Sequence, residues 1–238
     1  MDTTKVLRSV RRLAAVGVCV AALCAAVPLV LAQAEGRHPV SGRFYANTMS
    51  ADGADWLDRP ERDFEESTKQ AIKLLGLTPG MVVADIGAGS GYFTIPMSRL
   101  VRPGGRVYAV DIQRRMLEII AKKIEKQKKD PVENVTLVLG EGNDPKLPAD
   151  SIDVALMVDV YHELHEPQAV LKAIHTALKP GGRLILLEYR AEDPRVPIQP
   201  LHKMSIATAK QELEHEGFTL SQVKRDLPWQ HLLIFTKP

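Results

Sequence analysis

The feature of this sequence that most constrains its fold is a glycine-rich segment that directly follows a short apolar run. The apolar run is Val82 to Ile86, and the glycines after it are Gly87, Gly89 and Gly91. Glycine lets the chain turn sharply and lets a ligand approach the backbone closely. The helix predicted next would add free N–H groups and the positive end of its dipole. The segment therefore predicts a strand, a loop and a helix that together bind a cofactor.

Short apolar runs alternate with helical patterns along the rest of the chain. The predicted strands are residues 82–86, 106–110, 135–139, 152–158 and 184–187, and the predicted helices are residues 64–75, 91–101, 113–128 and 167–178. This alternation is typical of a parallel sheet covered on both faces. After residue 205 comes one more helix, over 207–216, and then two strands, near 219–223 and 232–235, whose short link favours an antiparallel hairpin. We therefore predict an α/β fold with a doubly wound, seven-stranded sheet, mostly parallel, with an antiparallel edge and helices on both faces.

The first 34 residues have the layout of a secretory signal peptide. A basic start is followed by an uncharged run over residues 13–31 and by the small-x-small pattern Ala32-Gln33-Ala34. We expect cleavage after Ala34 and export of the rest of the chain, to the periplasm. The uncharged run of 19 residues also approaches the length that spans a bilayer. An uncleaved membrane anchor formed by residues 13–31 is therefore the alternative.

Removal of that segment changes the charge balance. Lys plus Arg falls from 31 to 27 and Asp plus Glu from 29 to 28, so the net charge moves from +2 to −1. This balance does not favour a nucleic-acid partner. Both cysteines, Cys19 and Cys24, lie in the segment, so a processed chain has no thiol for a disulfide or a metal. Residues 35–62 are predicted to form a polar lead-in arm, which could act as a lid for the domain at 63–238. The oligomeric state stays open.

Three positions limit the chemical class of the cofactor. A dinucleotide fingerprint would need glycine at position 92, where this chain has Tyr92. Asp85 stands two residues before Gly87, and its carboxylate would repel a phosphate but attract an amine or a sulfonium. Asp111 follows Gly91 by 20 residues, at the end of the second predicted strand, where an acid suits the hydroxyls of a ribose. The predicted ligand is thus adenosine-containing and carries a positive end.

With these residues in place, the segment Asp85-x-Gly87-x-Gly89-x-Gly91 resembles the first motif of class I S-adenosylmethionine-dependent methyltransferases. The resemblance covers roughly residues 70–190 and includes Asp111 and the segments 139–148, 151–153 and 178–184. The last of these segments is typical of small-molecule methyltransferases of the ubiquinone-biosynthesis type. The resemblance implies a methyltransferase fold, S-adenosyl-L-methionine as cofactor and a small-molecule methyl acceptor.

The resemblance also implies roles for individual residues. Asp85 would face the methionine amine, the glycines would pass under the methionine and ribose, and Asp111 would hold the ribose diol. Many members have Asp where this chain has Glu141, so the adenine contacts differ. The predicted cofactor-binding residues are Asp85, Gly87, Ala88, Gly89, Gly91, Asp111, Ile112, Glu141, Gly142 and Asp159.

The acceptor is expected at the segments that follow the fourth and fifth strands, because ligands of such sheets bind beyond the carboxyl ends of the strands. His162 is the predicted general base, with Glu188 and His202 as supporting catalytic residues. The predicted acceptor-binding residues are Tyr161, Glu163, Tyr189 and Arg190. A purely structural salt-bridge cluster is the alternative. His162 and His165 are three residues apart rather than the four of the zinc-protease pattern, so no metal site is predicted.

Three other functions share some of these features. One is a cofactor-binding protein without turnover, which the export signal favours because S-adenosylmethionine is made in the cytosol. The others are an aminopropyl transferase, which uses a related sulfonium, and a nicotinamide-dependent oxidoreductase, which Tyr92 disfavours.

Overall fold

The computed structural model describes residues 36–238, so the predicted signal peptide or anchor lies outside the described residues. The strands are β1 (Val82–Ile86), β2 (Arg106–Asp111), β3 (Val135–Leu139), β4 (Ile152–Val158), β5 (Leu178–Tyr189), β6 (Thr219–Lys224) and β7 (Gln230–Thr236). The helices are α1 (Ala54–Leu57), α2 (Arg62–Glu66), α3 (Thr68–Leu74), α4 (Thr94–Leu100), α5 (Arg114–Glu125), α6 (Pro167–Ala177) and α7 (Ile206–His215). Short 3₁₀ turns occur at Ala51–Gly53, Tyr161–Glu163 and Pro200–His202.

The strands form one seven-stranded sheet in the order β3-β2-β1-β4-β5-β7-β6. All neighbouring pairs among β1 to β5 are parallel, while β7 runs antiparallel to both β5 and β6. The predicted architecture is therefore confirmed, including the antiparallel edge hairpin. The strand order reverses between β1 and β4, and the loops that leave this point open a crevice at their carboxyl ends.

Apolar side chains cover both faces of the sheet because the central strands are apolar on both sides. On one face Leu171 and Ile174 of α6 and Leu213 of α7 pack against the sheet. On the other face Phe93 and Met97, at the start of α4 and within it, do the same. All five side chains are almost fully buried. This double layer fixes the positions of the loops at the carboxyl edge.

Two local predictions were wrong. Residues 64–75 do not form one helix, because Ser67 adopts a left-handed conformation with φ of 50° and separates α2 from α3. The segment Lys179 to Gly182 does not simply stop α6. It begins β5, which pairs with β4 through Ile152 and Leu178 and then shifts register before Val154.

The lead-in arm packs on the domain at two places. Arg43 donates to both carboxylate oxygens of Glu212 on α7, at 2.9 and 3.1 Å. On the other side, Gln113 donates to the carbonyl of Met49 at 2.8 Å and accepts from the N–H of Ala51 at 2.8 Å. The arm therefore crosses the carboxyl edge of the sheet. Among residues 36–238, no helix has both the length and the apolar character needed to cross a membrane.

Candidate cofactor and acceptor site

A cavity of about 230 Å³ lies at the carboxyl ends of β1, β2 and β4. Gly87, Gly89 and Asp111 form its floor, and Ile112 lies in its wall although half of that apolar side chain is exposed. Glu141 and Gly142 line the cavity from the loop after β3. Asp159 and Glu163 line it from the loop after β4. The structure thus brings most of the predicted cofactor residues to one cavity.

The glycine loop is shaped by positive backbone angles and by close neighbours. Gly87 has φ of 70° and Gly89 has φ of 53°. A Cβ on Gly87 would lie 2.5 Å from Val160 Cγ2, and one on Gly89 would lie 2.8 Å from Leu57 Cδ1. A side chain at either position would therefore strain the backbone and displace a neighbour.

Gly91, another predicted cofactor residue, packs closely against α5. It does not line the cavity, and a Cβ on it would lie 2.9 Å from Cγ1 of Ile120, which is fully buried in α5. Its φ of 78° also needs glycine. Gly91 therefore allows close packing of the loop on α5, and its contact with a ligand stays a prediction.

Asp111 is the buried carboxylate at the centre of the site. Its Oδ2 accepts a hydrogen bond from the N–H of Gly89 at 2.9 Å, and its Oδ1 accepts from the N–H of Gln113 at 2.8 Å. Burial raises the pKa of Asp111, and these backbone hydrogen bonds oppose that shift. An ionised carboxylate has about four lone-pair positions, so two stay available for a ligand diol.

A second, smaller cavity of about 30 Å³ adjoins the first and shares Arg62, Gly87 and Gly89 with it. Asp85 lies in its wall, and so does Ala88, another predicted cofactor residue. Thr94 donates to Oδ2 of Asp85 at 2.5 Å. Burial raises the pKa of Asp85 to about 6, although the Thr94 hydrogen bond opposes this shift.

Arg62 is a functional candidate that the sequence patterns missed. Its Nε donates to Glu66 at 2.8 Å and its Nη1 donates to the carbonyl of Leu57 at 2.8 Å. It lines both cavities, and its guanidinium lies 4.5 Å from the centroid of the Tyr92 ring. In the sequence, Arg62 is the last residue of the predicted arm, and no motif marks it. The small cavity is thus lined by a carboxyl group and a cationic guanidinium, which suit the amine and the carboxylate of an α-amino acid.

Other residues of the lead-in arm line the large cavity. Thr48, Met49 and Leu57 all line it. The arm therefore supplies part of the wall of the cavity, and its action as a lid stays a prediction.

Asp159 occupies a strained position at the border between the cofactor and acceptor regions. Its φ is 53°, an unusual value for a residue other than glycine. Its Oδ2 accepts a hydrogen bond from Gln230 at 2.7 Å, whereas its buried Oδ1 has no partner among residues 36–238. Burial raises the pKa of Asp159 well above its usual value, and the nearby carboxylates Glu66 and Glu188 add to this.

The three predicted catalytic residues contact one another but do not line the cavity. His162 Nδ1 lies 2.6 Å from Glu188 Oε2, and His162 Nε2 lies 3.1 Å from His202 Nδ1. The other oxygen of Glu188 accepts from the N–H of Tyr161 at 2.9 Å. His162 and Glu188 are almost fully buried, while His202 is half-buried. Direct contact of His162 with an acceptor stays a prediction.

Among the predicted acceptor residues, Glu163 alone lines the cavity. Its pKa is raised to about 7, chiefly by burial. Tyr161 is fully buried, and its hydroxyl lies 3.4 Å from His38 Nε2. Tyr189 donates to Glu66 at 2.8 Å.

Arg190 stabilises the end of the sheet instead of facing the cavity. It donates to the carbonyls of Leu227 and Gln230 at 2.6 and 2.8 Å, and also to that of Pro228. These carbonyls lie in and beside the link between β6 and β7. Arg190 thus satisfies backbone groups that the turn leaves without strand partners.

Residues 84–184 match the family described as a methyltransferase domain. A demethylmenaquinone methyltransferase of Tropheryma whipplei is 34% identical over 136 residues, which are 57% of this chain and 52% of that protein. A ubiquinone/menaquinone biosynthesis C-methyltransferase of a Shewanella strain is 31% identical over 121 residues, which are 51% of this chain and 47% of that protein. The chain thus spans about half the length of these curated relatives.

Among solved structures, a SAM-dependent methyltransferase of Aquifex aeolicus is 26% identical, with a TM-score of 0.74. The match covers 80% of this chain and 100% of that one. The chain therefore has the Rossmann-like fold of S-adenosylmethionine-dependent methyltransferases, and residues 84–184 are similar to the methyltransferase-domain family.

Proposed function

We propose that this protein is an S-adenosylmethionine-dependent methyltransferase that acts on a small-molecule acceptor. The observation that carries the proposal is the pair of adjoining cavities, which meet above Gly87 and Gly89. One cavity is bounded by Asp111 and the other by Asp85 and Arg62. The similarity of residues 84–184 to methyltransferase domains supports the proposal.

The large cavity suits a nucleoside. The free lone pairs of Asp111 can accept two hydrogen bonds from the ribose hydroxyls. Ile112, half exposed in the wall, offers an apolar face for the adenine ring. Glu141 and Gly142 border the same part of the cavity and are in position to contact the edge of the base.

The small cavity suits the methionine end of the cofactor. The carboxylate of Asp85 would attract the amine, and the guanidinium of Arg62 would attract the carboxylate. A dinucleotide would place a pyrophosphate here, beside the buried Asp85, at an electrostatic cost. The two cavities therefore fit a zwitterionic amino acid joined to a nucleoside better than they fit NAD.

Methyl transfer needs alignment and exclusion of water more than it needs a proton relay. The bound cofactor supplies an electrophilic sulfonium methyl. The chain's own residues form the walls: Met49 and Leu57 come from the arm, and Val160 packs on the glycine loop. The acceptor would enter beside Asp159 and Glu163, and apolar Leu164 and Val170 border the same cavity. Together with the demethylmenaquinone in the name of one relative and the quinone biosynthesis in the name of another, this lining favours a flat, largely apolar acceptor.

Calorimetry with three ligands tests the cofactor. We expect binding of S-adenosylmethionine, weaker binding of decarboxylated S-adenosylmethionine because it lacks the group that faces Arg62, and no binding of NAD. Binding of NAD in place of the sulfonium would refute the proposal. Tighter binding of the decarboxylated ligand would favour an aminopropyl transferase.

A screen of aromatic acceptors for release of S-adenosylhomocysteine tests turnover. We expect product with at least one phenolic or quinol acceptor. Cofactor binding without product across the whole screen would favour a binding protein that has no turnover.

We also propose that the domain is exported to the periplasm, on the basis of the basic start, the uncharged run and the Ala32-Gln33-Ala34 pattern. Mass spectrometry of the N-terminus of protein from cell fractions tests this. A periplasmic chain that begins at Glu35 is the expected result. An intact Met1 in the membrane fraction would indicate an anchor formed by residues 13–31 instead.

A further inference from the structure

Two histidines and one carboxylate meet beside the large cavity, although they come from separate segments. His162 and Glu163 lie in the 3₁₀ turn after β4, and His202 lies in the 3₁₀ turn before α7. One donor atom from each lies within 4.8 Å of the other two. The two imidazole nitrogens, His162 Nε2 and His202 Nδ1, are only 3.1 Å apart. That separation is close to the roughly 3.3 Å expected between two nitrogens on one tetrahedral zinc ion.

Glu188 prepares His162 to act as a ligand. Its carboxylate lies 2.6 Å from Nδ1 of His162 and is held in place by the N–H of Tyr161. Nδ1 therefore carries the proton and donates it to Glu188, which leaves the lone pair of Nε2 facing His202. A carboxylate that orients a histidine through its second nitrogen is the usual outer partner of a metal-bound imidazole.

The position of the cluster gives it access to ligands. Glu163 lines the large cavity, and His202 is half-buried rather than enclosed. A metal with three protein ligands keeps at least one position open, as in catalytic zinc sites with two histidines and one glutamate. Here the carboxylate of Glu163 leads from the cluster to the cavity, so the open position would face the space next to the cofactor.

We propose that His162 Nε2, His202 Nδ1 and the carboxylate of Glu163 bind a divalent transition-metal ion. Imidazole and carboxylate donors in a set of three suit Zn²⁺ and its neighbours in the first transition row. The open position takes an oxygen donor, and this last step rests on the proposed function, because the donor would be a hydroxyl of the methyl acceptor. A metal here would lower the pKa of the bound hydroxyl, so that its proton could pass to water. The oxygen would then form a bond to the sulfonium methyl as the bond from sulfur to that methyl breaks, and S-adenosylhomocysteine would leave.

The competing interpretation is a metal-free chain of hydrogen bonds from Glu188 through His162 to His202. That arrangement uses the same atoms and distances. The metal-free chain predicts no stoichiometric uptake of metal, so a measurement of metal binding distinguishes it from the proposed metal site.

The test is titration of chelator-treated, purified protein with Zn²⁺ and with Co²⁺, in the absence of cofactor. We expect one equivalent of metal and, for Co²⁺, visible absorption bands typical of a low-coordinate site. His202→Ala and Glu163→Gln should each weaken binding by at least the roughly 10- to 100-fold that loss of an outer partner costs. His215→Ala, at an exposed histidine on α7, is the matched control and should leave binding unchanged.

Absence of stoichiometric metal uptake by the unchanged protein would overturn the proposal. It would also be overturned if Glu163→Gln and His202→Ala bound the metal as tightly as the unchanged protein. Circular dichroism shows whether each variant is folded, and Glu163→Gln, at the cavity surface, serves if His202→Ala does not fold. Catechol, as a probe for the open position, should shift the cobalt spectrum. Because the metal titration contains no S-adenosylmethionine, its result is independent of whether the protein binds that cofactor.

Discussion

At the carboxyl ends of β1 and β2 the floor of the cavity is formed by Gly87 and Gly89 of the glycine loop and by the carboxylate of Asp111. At the ends of β4 and β5, by contrast, side chains from distant segments meet, such as His162, Glu188 and His202. We call these regions the cofactor half and the acceptor half. In the cofactor half, the glycine loop and the end of the following strand form the floor of the site, and Arg62 and the arm add to its walls. In the acceptor half, His162 and Glu188 are already hydrogen-bonded to other protein groups, whereas the buried Oδ1 of Asp159, which borders the cavity, has no partner within residues 36–238.

This difference teaches that the two halves depend on different physical causes. The shape of the glycine loop follows from positive φ angles and from the lack of a Cβ, so it is a local property. The acceptor half depends on buried polar groups that are hydrogen-bonded to one another, and each of them is costly if its partner is lost. Changes in the first half should mainly alter cofactor affinity, unless they disturb packing, and changes in the second should mainly alter stability and turnover.

The largest expected effect comes from Gly91→Ala, which tests whether part of the glycine loop serves packing alone. The variant adds a Cβ 2.9 Å from Ile120 Cγ1 at a φ of 78°. The left-handed backbone and the overpacking together should lower the free energy of unfolding by about 2–5 kcal/mol. Urea denaturation measures this. Gly142→Ala is the control, because no atom lies within 4 Å of the added Cβ and its stability should be nearly unchanged.

The next effect concerns Asp111→Ala. Loss of the buried carboxylate should weaken binding of S-adenosylmethionine by about 1.5–3 kcal/mol, the value of hydrogen bonds to a charged group. Calorimetry measures the change. The control is Asp130→Ala, which removes an exposed acid paired with Arg99 and Arg102. Equal affinities for the two variants would contradict the ribose assignment.

Glu188→Gln tests the acceptor half. The amide cannot accept from both the N–H of Tyr161 and Nδ1 of His162, so the free energy of unfolding should fall by about 1–3 kcal/mol. Cofactor affinity should stay at the level of the unchanged protein. Denaturation and calorimetry on the same preparation check both, with Glu214→Gln on α7 as the control. A large loss of cofactor affinity without a loss of stability would remove the distinction between the halves.

The smallest effect is on pH dependence and concerns Asp85, whose pKa is raised to about 6 by burial. The ionised form attracts the methionine amine, so affinity should fall as the pH drops through about 6, by about tenfold per pH unit below it. The contribution of Asp85 to the free energy of unfolding changes with pH in the opposite direction. The folded state binds the proton more tightly than the unfolded state, so this contribution falls as the pH rises from the usual pKa of 3.8 to the raised pKa of about 6. Asp85→Asn should flatten both profiles.

The sequence by itself determined the order of elements and the cofactor loop. Strands β3 and β4 have the predicted bounds because each is a mainly apolar run, and β3 ends before Gly140 and β4 before Asp159. Asp111 was predictable because its distance from the glycines is fixed by one helix and one strand. The strand over Lys179 to Gly182 was not, because its pairing with β4 is a long-range contact that overrides the turn preference of Pro and Gly.

Only the tertiary structure decided which distant residues share a site. It placed Arg62 beside Asp85 in the small cavity. It also placed His202 beside His162, which is 40 residues away in the sequence. Gly91, Tyr189 and Arg190 lie outside the cavity lining in the structure, and each has a packing or hydrogen-bonding partner elsewhere. Local patterns carry backbone preferences, which act over a few residues. The neighbours of a buried charge depend instead on how the sheet and the arm come together.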